Sequence, residues 1–80
     1  MRASAYVLIN VDVGKSRHVY EKLEKLPEVK HIDAVTGPYD IIATIETDDY
    51  PGIGKFVLEK IHKIKGVTHT ITCYIIRFET

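Results

Sequence analysis

Residues 29–47 read Val-Lys-His-Ile-Asp-Ala-Val-Thr-Gly-Pro-Tyr-Asp-Ile-Ile-Ala-Thr-Ile-Glu-Thr. Two β-rich runs, 29–36 and 41–47, flank Gly37-Pro38-Tyr39-Asp40, which is a turn by composition. The first run is the more polar and suits a sheet edge. The second, Ile41-Ile42-Ala43-Thr44-Ile45-Glu46-Thr47, is nearly continuous in apolar residues and suits a central strand.

The period changes on both sides of this strand–turn–strand unit. Upstream, Ser16, Val19, Tyr20, Leu23 and Leu26 recur at helical spacing, with charged residues between them, and Pro27 stops the helix. Before that helix, residues 5–12 form a strand that Val13-Gly14 breaks. Downstream, Asp48 or Asp49 can cap a second helix, with Pro51 in its first turn. Ile53, Val57, Ile61 and Ile64 make its apolar stripe, and Phe56 widens it. Gly52 and Gly54 weaken its start, and Gly66 is expected as its C-cap. Residues 67–78 read as a last strand.

The order β-α-β-β-α-β, with right-handed crossovers, predicts a ferredoxin-like α+β fold. Four antiparallel strands carry both helices on one face, and strands 5–12 and 40–47 are central. Alternation assigns Val7, Ile9, Ile41, Ala43, Ile45, Ile71, Cys73 and Ile75 to the helix side. The opposite parity carries Tyr6, Leu8, Ile42, Tyr74, Ile76 and Phe78, where a monomer should be polar. Burying about five such side chains is worth on the order of 10 kcal/mol, so this face is expected to form a sheet-to-sheet dimer.

Size points the same way. A chain of 80 residues makes one small domain, 1–80, and buries little more than ~60% of its unfolded surface. Lys+Arg and Asp+Glu are both 11, and this zero balance argues against binding a phosphate backbone. A single cysteine excludes a disulfide framework and a multi-thiolate metal site. With no apolar run near the roughly 20 residues that span a bilayer and no secretory signal pattern, the chain reads as cytoplasmic, with no membrane partner.

Catalytic constellations are weak. His18, His31, His62 and His69 have no metal-pair spacing and read as surface histidines. Cys73 lacks an activating base. Asp33, Asp40, Glu46, Asp48 and Asp49 offer no pair facing across a cleft. Gly52-Ile53-Gly54-Lys55 lacks the spacing of a phosphate loop. No cofactor is implied and the chain reads as a non-enzyme. In the Gly37-Pro38-Tyr39-Asp40 turn, Gly37 permits close backbone approach and Asp40 can pair with an ammonium, although the same residues also simply make a turn. Thr68, Thr70 and Thr72 share one parity of the last strand. Facing away from the helices, they would be hydroxyl donors at the dimer surface; threonine is also an ordinary strand residue.

Taken together, Val35-Thr36-Gly37-Pro38-Tyr39-Asp40-Ile41-Ile42, the acidic opening of the second helix and Gly66-Val67-Thr68-His69-Thr70-Ile71-Thr72 resemble the effector domain of the Lrp/AsnC regulators, the RAM domain. The resemblance covers about residues 4–78. It implies dimers joined through their sheet faces, assembly into octamers or related rings, and small effectors, commonly amino acids, bound between dimers. Carried onto this sequence, it puts Gly37, Tyr39 and Asp40 in the effector loop and Thr70 and Thr72 on the last strand, with Ile41, Cys73 and Tyr74 close by. Asp40 would meet the α-ammonium, and backbone N–H groups of the Gly37 loop the α-carboxylate. The dimer face would hold Tyr6, Leu8, Ile42, Tyr74, Ile76 and Phe78. Pro38 stands where that family often has acidic or polar residues, a departure that bears on effector choice.

Full-length members carry an N-terminal helix-turn-helix reader, whereas here residue 5 already begins the first strand. The expectation is a stand-alone effector module that does not bind nucleic acid directly and partners with full-length regulators of the same type. An ACT-like amino-acid-binding domain or a small dimeric α+β barrel enzyme are the alternatives. The ACT reading lacks a glycine-rich loop after the first strand. An acylphosphatase loop is only faintly suggested by Val13-Gly14-Lys15-Ser16-Arg17. An RNA-binding sheet would need stacking aromatics where only Tyr6 could serve. A metal chaperone would need a Cys-x-x-Cys motif.

Overall fold

The computed structural model describes residues 2–78. In chain order they form β1 (Ala3–Val11), α1 (Ser16–Glu24), β2 (Val29–Ala34), β3 (Ile41–Thr47), α2 (Tyr50–Phe56) and β4 (Val67–Tyr74). A π-helical turn over Val57–Ile61 continues α2. The four strands make one sheet in the order β2-β3-β1-β4, every neighbouring pair antiparallel. This is the expected ferredoxin-like arrangement, with the apolar runs β1 and β3 in the centre and polar β2 at an edge.

The core lies between the sheet and the helices. Val7, Ile9, Ile41, Ala43 and Ile45 are fully buried on one face of the central strands. Val19 and Leu23 of α1, and Ile53, Phe56, Val57 and Ile61 of the second helical segment, pack over them. Asp49 caps α2, its Oδ1 accepting the Gly52 amide at 2.8 Å. The two glycines expected to disturb the first turn are accommodated there. The irregularity falls later, where the His62 amide reaches back five residues to the Val57 carbonyl at 2.9 Å. The helical segment therefore ends at Ile61, before a turn, and Gly66 is no C-cap. Gly66 has φ +109°, and its carbonyl accepts the Asp12 amide at 2.8 Å.

The faces of β4 differ from expectation. Thr70 pairs with Ile9, Thr72 with Val7 and Tyr74 with Ala5, so these three lie on the helix side. Ile71 pairs with Leu8 and Cys73 with Tyr6, so they lie on the open face. The assignments of Tyr74 to the open face and of Ile71, Cys73 and Ile75 to the helix side are corrected accordingly. Ile75 lies past the strand and keeps the parity of Cys73, its amide donating to the Ser4 carbonyl at 3.0 Å. Thr70 and Thr72 likewise face the helix layer, not away from it. Thr68 is the extra residue of a bulge between the Asn10–His69 and Val11–Val67 pairs.

The physical reason is coverage. β4 is an edge strand, whereas α2 packs over β1 and β3 and α1 packs beside β2. The helix side of β4 is thus only partly shielded, and Thr and Tyr suit it better than Ile. The open face now gathers Tyr6, Leu8, Ile42, Ile71 and Cys73 on three adjacent strands. Ile76 and Phe78, expected on that face as part of the last strand, instead follow the end of β4 at Tyr74, where no strand pairing assigns them to the open face, and are 74% and 86% exposed.

Candidate functional site

Both sequence motifs converge on the last residues of β1. The Asn10 side-chain amide donates to the Pro38 carbonyl at 2.8 Å. The Val11 amide donates to Asp40 Oδ2 at 2.9 Å. The Asp12 amide donates to the Gly66 carbonyl at 2.8 Å. Three consecutive residues thereby tie the 37–40 turn on one side and the start of β4 on the other. The turn is closed internally by Val35 N–H to Asp40 C=O at 2.9 Å, and the Asp40 amide donates to Ile9 C=O at 2.9 Å.

Gly37 is exposed at φ +128°, and a Cβ built on it would meet nothing within 4 Å. Only glycine holds that backbone without strain, and the space beside it is open to a ligand. Tyr39 and Asp40 are half-buried in the same turn. One carboxylate oxygen of Asp40 is committed to the Val11 amide, so the side chain is first of all a structural clasp.

Thr70 stands across β1 from this turn. It pairs with Ile9, the same residue whose carbonyl accepts the Asp40 amide. The two therefore flank one β1 residue, about two strand spacings or ~10 Å apart. Thr72 and Tyr74 lie farther along β4, roughly 7 and 13 Å from Thr70 by strand rise. Tyr74 meets the Tyr50 ring edge-on, with centroids 5.5 Å apart.

One protomer thus gathers Gly37, Tyr39 and Asp40 in one turn, with Thr70 about two strand spacings, or ~10 Å, away across β1. Thr72 and Tyr74 share the face of Thr70 on β4 and lie farther from the turn. Cys73 is exposed on the opposite face of the sheet. Ile41 is fully buried in the core, so its side chain cannot touch a surface ligand.

Two residues at this end of the sheet escaped the sequence reading. Asn10 is a lone polar residue in an apolar strand, a pattern that carries no signal of its contact with Pro38. His62, which follows the π-helical turn, places Nε2 2.8 Å from Thr70 Oγ1. A groove of about 690 Å³ opens at the other end of the sheet, lined in part by Arg2, Lys30, Glu46, Asp48, Lys55 and Lys60. None of the sequence-derived site residues lines it. Among the described residues no three His, Cys, Asp or Glu side chains are grouped to hold a metal ion. No helix there is long and apolar enough to cross a membrane.

The family model for the Lrp/AsnC ligand binding domain matches residues 4–78. The chain is 40% identical over 68 residues to an uncharacterized HTH-type transcriptional regulator of Pyrococcus abyssi, covering 85% of this chain and 43% of that protein. It spans about half the length, or less, of the curated relatives it matches. The crystal structure of FFRP-DM1 is similar with a TM-score of 0.88 and 39% identity, over 92% of this chain and 99% of that one. The transcriptional regulator NMB0573 of Neisseria meningitidis, solved as an L-Met complex, shares the fold with a TM-score of 0.84. Its identity is 21%, over 94% of this chain and 50% of that one. A small α+β effector-binding domain with two motif loops clasped to one strand end is thus the class to which this molecule conforms. The chain belongs to the Lrp/AsnC ligand-binding-domain family.

Proposed function

We propose that this chain is an effector-sensing and oligomerisation module of the Lrp/AsnC type, and that its effectors are amino acids. The observation that carries the reading is the joint anchoring of the Gly37–Asp40 turn and the start of β4 to Asn10, Val11 and Asp12. That anchoring holds a carboxylate, a glycine with open space beside it and a threonine hydroxyl at one end of the sheet. Those groups suit a zwitterion: a carboxylate oxygen or hydroxyl for the ammonium, backbone N–H groups for the carboxylate. The L-Met complex of NMB0573 supports an amino acid as the class of ligand.

In this reading two copies pack their open faces together through Tyr6, Leu8, Ile42 and Ile71, and dimers assemble into rings. The module acts on transcription by co-assembling with DNA-binding relatives and is not itself an enzyme. A net charge of zero supports the absence of direct DNA binding.

Thermal unfolding with each of the common amino acids tests the proposal. A ligand at 100 times its Kd adds about 2.7 kcal/mol, which at about 4–8 °C per kcal/mol raises the midpoint of a domain this size by more than 10 °C. A midpoint unmoved by every amino acid at millimolar concentration contradicts amino-acid sensing.

A further inference from the structure

We propose that His62 is a positioning residue for Thr70, and that the π-helical turn preceding it is the device that aims it. The proposal deepens the amino-acid-sensing reading and rests on it. A single π-turn inserts one extra residue into a helix and rotates whatever follows, and such turns concentrate at functional positions. Here the His62 amide bonds to the Val57 carbonyl five residues back, and the imidazole then lies over the edge strand. Its Nε2 sits 2.8 Å from Thr70 Oγ1.

The helix does not need this side chain. The His62 backbone amide already closes the last helical turn, and the imidazole is exposed, so it adds little to the core. Its consequence falls on the hydroxyl. A threonine hydroxyl has one proton and two lone pairs, and a neighbour that fixes one of them decides what remains for a ligand. When Nε2 carries a hydrogen, it donates to Oγ1 and the hydroxyl proton is free to point at a carboxylate. When Nε2 is bare, it accepts that proton and Oγ1 offers lone pairs to an ammonium. Either way His62 removes the rotational freedom of the hydroxyl that stands across β1 from Asp40.

The test is a double-mutant cycle in effector binding. Wild type, His62→Ala, Thr70→Val and the double variant are titrated calorimetrically with the amino acid that stabilises the wild type most, together with His62→Gln, whose terminal amide can reach the Nε2 position. His62→Ala is expected to weaken binding about tenfold, the scale of one hydrogen bond. The double variant should bind no more weakly than Thr70→Val alone, and His62→Gln should stay within about threefold of wild type. The effector-free melting midpoint should be little changed by His62→Ala, because the side chain is exposed. Wild-type affinity in His62→Ala, or losses that simply multiply in the double variant, would overturn the assignment while leaving amino-acid sensing intact. A wild type that takes up no amino acid overturns both.

Discussion

Asp40 Oδ2 accepts the backbone amide of Val11 at 2.9 Å, joining the turn before β3 to the end of β1. The carboxylate to which the family resemblance gives the effector ammonium is therefore also part of the frame. Any substitution at Asp40 mixes a binding effect with a structural one, unless the replacement keeps the acceptor and removes the charge.

Asp40→Asn does that. Its side-chain oxygen can still accept from Val11, so the thermal midpoint should fall by no more than a few degrees. Asp40→Ala leaves a half-buried amide unpaired and should cost about 1–3 kcal/mol. If Asp40 meets the effector ammonium, both variants lose affinity. Full affinity in Asp40→Asn, measured by calorimetry, would confine Asp40 to its structural role.

The open-face assignment separates Ile71 from Tyr74. Ile71 shares a face with Tyr6, Leu8 and Ile42, whereas Tyr74 packs against Tyr50 on the helix side. Ile71→Lys should therefore dissociate a sheet-face dimer to monomers in light scattering, with Tyr74→Lys retaining the dimer. The reverse outcome would restore the parity expected from hydrophobicity alone.

Glycine substitutions should divide by surroundings as well as by φ. Gly14 and Gly66 both have positive φ, at 81° and 109°. A Cβ on Gly14 meets nothing, but on Gly66 it would lie 3.0 Å from Lys15 Cβ and 3.2 Å from Val19 Cγ2. Gly14→Ala should cost about 1 kcal/mol and Gly66→Ala clearly more, since strain and overlap add there. Chemical denaturation measures the difference.

Asp49 caps α2 by accepting the Gly52 amide, so Asp49→Ala should cost about 1 kcal/mol, equivalent to about 4–8 °C in midpoint. Gly52→Ala should destabilise through the same contact. Its Cβ would fall 3.0 Å from Asp49 Oδ1 and 3.2 Å from Thr47 Oγ1. An unshifted midpoint in Asp49→Ala would show that the cap contributes nothing.

The order and centre of the sheet were legible because they follow from coarse signals. Ile41–Ile45 is too apolar to lie at an edge, and the polar Lys30, His31 and Asp33 are too hydrophilic to lie in the middle. The faces of β4 were not legible, because the rule that apolar parity points to the helices assumes full coverage. At an edge strand that α2 covers only in part, Thr70, Thr72 and Tyr74 take the helix side and Ile71 goes to the open face. The candidate site was legible as two motifs, since Gly37 and Asp40 announce their turn. Their common anchor on Asn10, Val11 and Asp12 was not, because long-range pairing leaves no local pattern. The contact of His62 with Thr70 follows a π-turn that no spacing in Ile53, Val57 and Ile61 reveals.

The proposed function has this chain assemble through its open sheet face and carry an amino acid. Native mass spectrometry of the purified protein, with and without a mixture of amino acids, tests both halves at once. Dimers or higher even-numbered assemblies whose mass increases by that of a bound amino acid are the expected result. A monomer that gains no mass would contradict it.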